Sequence, residues 1–303
     1  MLGIFVSCSW ELILVLAVSK FFQFETQQIT EHHFEIVTTS KKKFYLIKSG
    51  KGISAQSGVM KILATLPPAY LEEELFLIGS CMGNTSVIKT RPNINNQDVI
   101  KLWPIIVATE GEVDINKASS LLPYKVLLNP SIKPAHMAVF GESSFEQLTC
   151  RENYSVTPRC DRQRCPVFQN MGDYFFQPKI NKSMKNVFYG PIFCSNFKIE
   201  KDGASDILEE SNLLGLEMES QQWYEALKNY PEKQHKVCVM KGVSDHGEKY
   251  LKKNKKRKLY RKIACASAYM LWLSTYIQTY LPELNANDID RFPDEEWKWN
   301  MLQ

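Results

Sequence analysis

Glycine and proline are scarce in this 303-residue chain, at 14 each, which excludes collagen-like and Gly/Pro-rich linker classes. An excess of charge of one sign is missing too. Lys and Arg number 37 against 33 Asp and Glu, and the net +4 is too small to point to nucleic acid by itself. The apolar stretch 263–277 is too short to span a bilayer and carries Ser267, Ser274 and Thr275, so no membrane partner is expected. Basic residues are absent ahead of the apolar run at 1–19, and Glu11 interrupts it. A secretory leader has a basic start, so this run reads as a buried first strand leading into an apolar helix. A cytoplasmic location is expected, with secretion as the lesser alternative. There is no internal repeat and no low-complexity tract.

Cysteine is present but not arranged as a framework. Cys8, Cys81, Cys194, Cys238 and Cys265 each sit in an apolar run, where cysteine behaves as a small core hydrophobe. Cys150, Cys160 and Cys165 lie in a polar stretch and lack a fourth ligand nearby for zinc. Neither a metal site nor disulfides are expected, in keeping with a reduced compartment. What remains is a composition of 44% hydrophobic, 12% aromatic and 23% charged residues, that of a packed globular protein.

Apolar strand-like runs alternate with helical ones. Strands are expected at 3–8, 34–38, 44–47, 75–78, 99–108, 137–140, 187–193, 215–217 and 237–243. Helices are expected after the first strand, near 55–66, and at 116–127, 219–228 and 255–281. Such alternation predicts an α/β fold with helices on both faces of a sheet. The chain reads as a single domain, 1–303, with an insertion or long loop at 141–184. The basic run 249–262 reads as a solvated helix face rather than a nucleic-acid site.

In open α/β sheets, ligands bind at the carboxyl ends of strands. Those ends carry Ser9-Trp10-Glu11, Gly79-Ser80-Cys81, Glu217-Met218-Glu219 and Ser244-Asp245-His246. Glu217 and Glu219 flank Met218, and if a helix opens there its dipole favours Glu219. Asp245 ends a buried strand, where desolvation favours an acid working near neutral pH, although capping a helix is an alternative. Glu11, amid Trp10, Leu12 and Ile13, needs a partner or a water-filled site unless it faces solvent. Three carboxylates at three separated strand ends form a possible acid–base constellation without naming a reaction.

These segments resemble the nucleoside phosphorylase/nucleosidase superfamily, and among it the methylthioadenosine/S-adenosylhomocysteine nucleosidase-like enzymes. LEMES at 216–220 is similar to the family's VEMEA motif, VMKGVSD at 239–245 to VRAISD, and LIGSCMG at 77–83 to its GSAGG turn. KSGKGISA at 48–55 resembles SGIGKVNAA, QDVIKL at 97–102 resembles GDIVV, and CASAYMLWL near the end resembles an AAATAAAY-like run. The matches keep one order from residue 3 to about 280.

The resemblance implies a three-layer α/β/α domain around a mixed twisted sheet. It also implies cleavage of a purine N-glycosidic bond through an oxocarbenium-like transition state, without a cofactor. It makes Asp245 the acid that protonates the leaving base and Glu11 the carboxylate that activates water. Glu219 would take the ribose hydroxyls, Met218 would pack beneath the sugar and Phe197 would stack on the base. Ser80 would help hold water or sugar, with Gly79, Glu217 and Lys241 lining the same pocket. Phosphorylases hold phosphate with arginines; here Leu77 occupies one such position and the first arginine is Arg91, which favours hydrolysis over phosphorolysis. Retention of the three carboxylates favours an enzyme over a storage or ligand-sensing relative. Lys241 replaces an arginine, Met82 a glycine, and Val6 to Ser9 lack the usual glycine, which leaves the substrate open between a nucleoside and a 5′-phosphorylated nucleotide. The implied partners are that small molecule and a second copy of the chain, in a homo-oligomer with a dimer favoured.

Overall fold

Side chains alternate strictly along the first strand, β1 (Gly3–Val6). Ile4 and Val6 join one buried apolar cluster and Phe5 joins another. The computed structural model describes residues 2–50, 59–60, 62–64, 75–84, 88, 103–113, 124–126, 187–194, 213–220, 223, 237–246, 255–277, 281 and 283–293. Ten strands are seen there. After β1 come β2 (Glu25–Thr30), β3 (His33–Val37), β4 (Lys43–Lys48), β5 (Leu75–Gly83) and β6 (Ile105–Val113). Then follow β7 (Tyr124–Val126), β8 (Val187–Cys194), β9 (Gly215–Glu217) and β10 (Val237–Asp245). Among the described residues, helices run over Ser9–Phe21 (α1), Lys255–Trp272 (α2), which ends in a π-helical turn (Leu273–Ile277), and Ala286–Arg291 (α3), and residues 59–60 and 62–64 are helical too.

The strands make one mixed sheet that closes on itself at one side. β5 pairs with β10, β10 with β6, β6 with β8, β8 with β9, and β9 returns to β5. β1, β4, β3 and β2 extend as an open wing from the edge of β5 opposite β10, which β1 shares with β9. The two-faced apolar pattern is the reason for the layers. Phe44, Leu46, Phe76, Ile78 and Met240 pack with α1 and α2, while Tyr45, Ile47, Leu75, Leu77 and Val239 pack with Val59, Leu63 and Trp223. A strand buried on both faces must be apolar at nearly every position, as these are. The expected α/β fold with a mixed sheet is what the chain adopts.

The apolar N-terminal run is core. β1 is hydrogen-bonded between β4 and β5, and α1 is buried from Glu11 to Ser19. α2 lies directly on β10 at Gly242, where a Cβ would overlap the Ala264 backbone carbonyl. Backbone cannot step aside as a flexible side chain can. Gly242→Ala is therefore expected to cost at least about 1–3 kcal/mol, read as a lower urea midpoint at unchanged m-value.

Several boundaries differ from expectation. β5 does not turn at Gly79 but runs on to Gly83, because β10 pairs with it throughout. The helix expected at 116–127 is contradicted at Tyr124–Val126, which is a strand pairing with the end of β6. Pro123 explains this, since it removes a helical donor and bars helix at the residue before it. β2 has no counterpart among the expected strands because ETQQIT is a polar, largely exposed edge strand. The first strand stops at Val6, and strand β6 starts after Pro104. The expected strand at 137–140 and the insertion at 141–184 lie outside the described residues. Of the basic run, Lys262 is not solvated: its buried ammonium donates to the Asp290 and Phe292 carbonyls at the end of α3.

Candidate functional site

Glu11 enters the sheet because β1 is short. β1 pairs with β5 only as far as Leu77, and β9 takes up the same edge of β5 at Met82. Between them the Ser80 backbone N–H has no strand to meet and donates to Glu11 Oε1 at 3.1 Å. α1 opens at Ser9 with no side-chain cap from Cys8, and Glu11 stands in its first turn, where the helix dipole favours a carboxylate. Its second oxygen, Oε2, accepts from the Ser7 backbone N–H at 2.9 Å and the Ser7 hydroxyl at 2.6 Å. Glu11 is 2% exposed, so these bonds replace the water it has lost.

Lys241 meets it from the ring side. It lies between Val239 and Val243 on β10, in register with Gly79 of β5. The absent side chain at Gly79 lets the charges approach: a Cβ there would stand 2.6 Å from Glu11 Oε1 and 3.2 Å from Lys241 Nζ. Lys241 is 1% exposed. Its ammonium donates to Glu219 Oε2 at 3.0 Å and stands 3.7 Å from Glu217 Oε2. Burial alone would push the Lys241 pKa down; the charges of Glu219, Glu217 and Glu11 outweigh it and hold the pKa above the ordinary lysine range. Burial likewise pushes Glu219 up, but the charge and hydrogen bond of Lys241 prevail and hold it below the usual carboxylate value.

Glu217 and Glu219 are not two positions of one strand. The strand ends at Glu217, and its carboxylate turns back to accept from the Glu219 N–H at 3.0 Å and the Ser220 N–H at 3.1 Å. The Ser220 hydroxyl donates to it as well. Glu217 thus caps the turn that delivers Glu219 to Lys241. Met218, between them, is half-buried.

Asp245 ends β10 beyond an irregularity in the pairing with β5 between Val243 and Asp245. Such a bulge re-aims a side chain. The Ser244 hydroxyl lies 3.1 Å from both Asp245 Oδ2 and the Cys81 carbonyl. His246 Nδ1 donates to the Gly83 carbonyl at 2.9 Å, which ties the ends of β10 and β5 together. The Cys81 thiol is buried and pushed well up by desolvation, and it feels Lys241, Glu217, Asp245 and Glu219. Glu217, Glu219 and Lys241 stand together, while Glu11 is tied to β5 through the Ser80 amide and Asp245 through the Ser244 hydroxyl. Sequence reasoning missed Ser7 and Ser220, and it named His246 at a strand end without giving it a role. For Ser7 a signal existed, a serine four residues before an acid at a helix start. Phe197 lies outside the described residues.

No family model matches the chain, and no curated protein does. Solved structures do. The chain is similar to 5′-methylthioadenosine/S-adenosyl homocysteine nucleosidase of Helicobacter pylori, with TM-score 0.54 and 12% identity over 92% of this chain and 98% of that one. It is similar to futalosine hydrolase of the same organism, with TM-score 0.53 and 12% identity over 92% and 97%. An aspartate-to-asparagine mutant of the Helicobacter pylori nucleosidase, with 5′-methylthioadenosine in its active site, matches with TM-score 0.52 and 12% identity over 92% and 98%. The chain shares the fold of these enzymes.

Proposed function

We propose that this protein hydrolyses the N-glycosidic bond of a purine nucleoside or a related nucleotide. The observation that carries the reading is the buried Glu11 carboxylate, fixed on both oxygens beside Lys241 and Glu219. A carboxylate so held suits a base that takes a proton from water as the water oxygen bonds to the anomeric carbon. The C–N bond breaks, and its electron pair leaves with the base, which takes a proton from Asp245. Glu219, kept ionised by Lys241, favours the positive charge that develops on the sugar and is suited to accept from its hydroxyls. Met218 is proposed to pack beneath the sugar, Ser80 to help hold water or sugar, and Phe197 to stack on the base.

Hydrolysis is favoured over phosphorolysis on electrostatic grounds. The Lys241 ammonium is already engaged by Glu219, and Leu77 is an apolar core residue. A phosphate dianion would meet Glu11, Glu217 and Glu219 with no arginine among the described residues of that cluster to offset them.

The test is chromatographic. 5′-Methylthioadenosine, adenosine, inosine and AMP are incubated with the protein, with and without phosphate, and free base is followed. Release without phosphate is the expected result, and Glu11→Gln should lower it by about 10²–10⁴-fold. Release only with phosphate would make the protein a phosphorylase, and release from none would leave a ligand-binding relative.

A further inference from the structure

The two oxygens of Glu11 are held unequally. Oε2 takes two donors, both from Ser7, and the hydroxyl at 2.6 Å has the length of a charge-assisted O–H···O⁻ bond. Oε1 takes one donor, the Ser80 amide at 3.1 Å. It lies on the side of Gly79 and Lys241, where no side chain of residue 79 covers it. A carboxylate offers about four lone-pair sites. Ser7 uses both of those on Oε2, while Oε1 keeps one beyond Ser80.

We propose that Ser7 is a positioning residue that decides which oxygen of Glu11 works on water. It occupies Oε2 and so turns Oε1, with its spare lone pair, toward the reacting centre. The inference rests on the hydrolytic reading above and adds to it a role for a side chain outside the three carboxylates. The backbone N–H of Ser7 alone would tether Glu11 as a helix-start acid. The hydroxyl is surplus to that tether and serves to lock the carboxylate about its last torsion. Ser7 is 4% exposed, so no water competes freely for the bond. Reactions that depend on placement are sensitive to small displacements, and about 1 Å can cost 10²-fold.

The test is steady-state base release by wild type, Ser7→Ala and Ser7→Cys on 5′-methylthioadenosine, adenosine, inosine and AMP. Cysteine preserves the shape of the site and supplies only a weak donor, so it carries the test if the alanine variant fails to fold. The expected result is a kcat lowered about tenfold in both variants, with KM within about twofold of wild type. A purely structural serine would lower the thermal midpoint and leave kcat per folded molecule unchanged. An unchanged kcat in the cysteine variant, or a loss seen in KM alone, overturns the proposal while leaving the hydrolytic reading intact. A wild type that releases no base from any of the four removes the hydrolytic reading, and this inference with it.

Discussion

Replacing Lys241 with methionine is expected to destabilise the protein by about 3–5 kcal/mol, the usual cost of removing one partner from a buried ion pair. The effect is large because the ammonium faces Glu219, Glu217 and Glu11, and both it and Glu217 are almost wholly hidden from water. Methionine fills the space without answering the charge. Urea midpoints at pH 7 provide the measurement, and a loss under about 1 kcal/mol would show that the cluster does not need its cation. The pH dependence gives a second reading. Glu219 is held below its ordinary value of 4.5. Its contribution is therefore present above pH 4.5 and is lost as pH falls through its folded value. Lys241 is held above its ordinary 10.5, so its contribution is complete below pH 10.5 and fades only as pH rises through the folded value. In the methionine variant Glu219 loses the charge that lowered it, and the loss of stability on acidification below pH 4.5 should shrink.

Asp245→Asn should act oppositely, on turnover and not on the fold. Asp245 is half-buried at the end of β10, and the Ser244 hydroxyl at 3.1 Å can donate to an amide oxygen as to a carboxylate. In the proposed hydrolysis Asp245 gives the departing base its proton, and the amide lacks it. Base release is expected to fall by about 10²–10⁴-fold, while calorimetric titration with 5′-methylthioadenosine shows binding retained. Full activity in the variant would remove Asp245 from the acid role and leave the base to depart unprotonated or to another donor.

Much of this architecture was legible in the residues. The two-faced runs around Phe5, Tyr45 and Phe76 identified central strands, since only a strand covered on both sides needs apolar residues at every position. The acids at strand ends were legible for the same reason, because charge at the edge of an apolar run needs an explanation. What escaped was set by partners far along the chain. Nothing local says that Gly79 continues a strand; its register with Lys241 does. Nothing local says that Glu217 folds back on the Ser220 amide, because that depends on the strand stopping at Glu217. Polar β2 carries no pattern at all, and its strand is specified by β3 beside it. Pro123, by contrast, was available and argued against a helix at 116–127.

The sharing of β5 between wing and ring has a consequence for the order of assembly. Glu11 comes from the wing side, Asp245 and Lys241 come from the last strand, and both groups are referred to β5 between them. A chain emerging during synthesis can make β1, α1 and their first partners long before residue 245 exists. Contacts so distant in sequence close late, after the loop entropy between them has been overcome. The nascent protein would thus hold Glu11 before Lys241 and Asp245 exist, and the proposed hydrolytic site would be complete only when β10 docks.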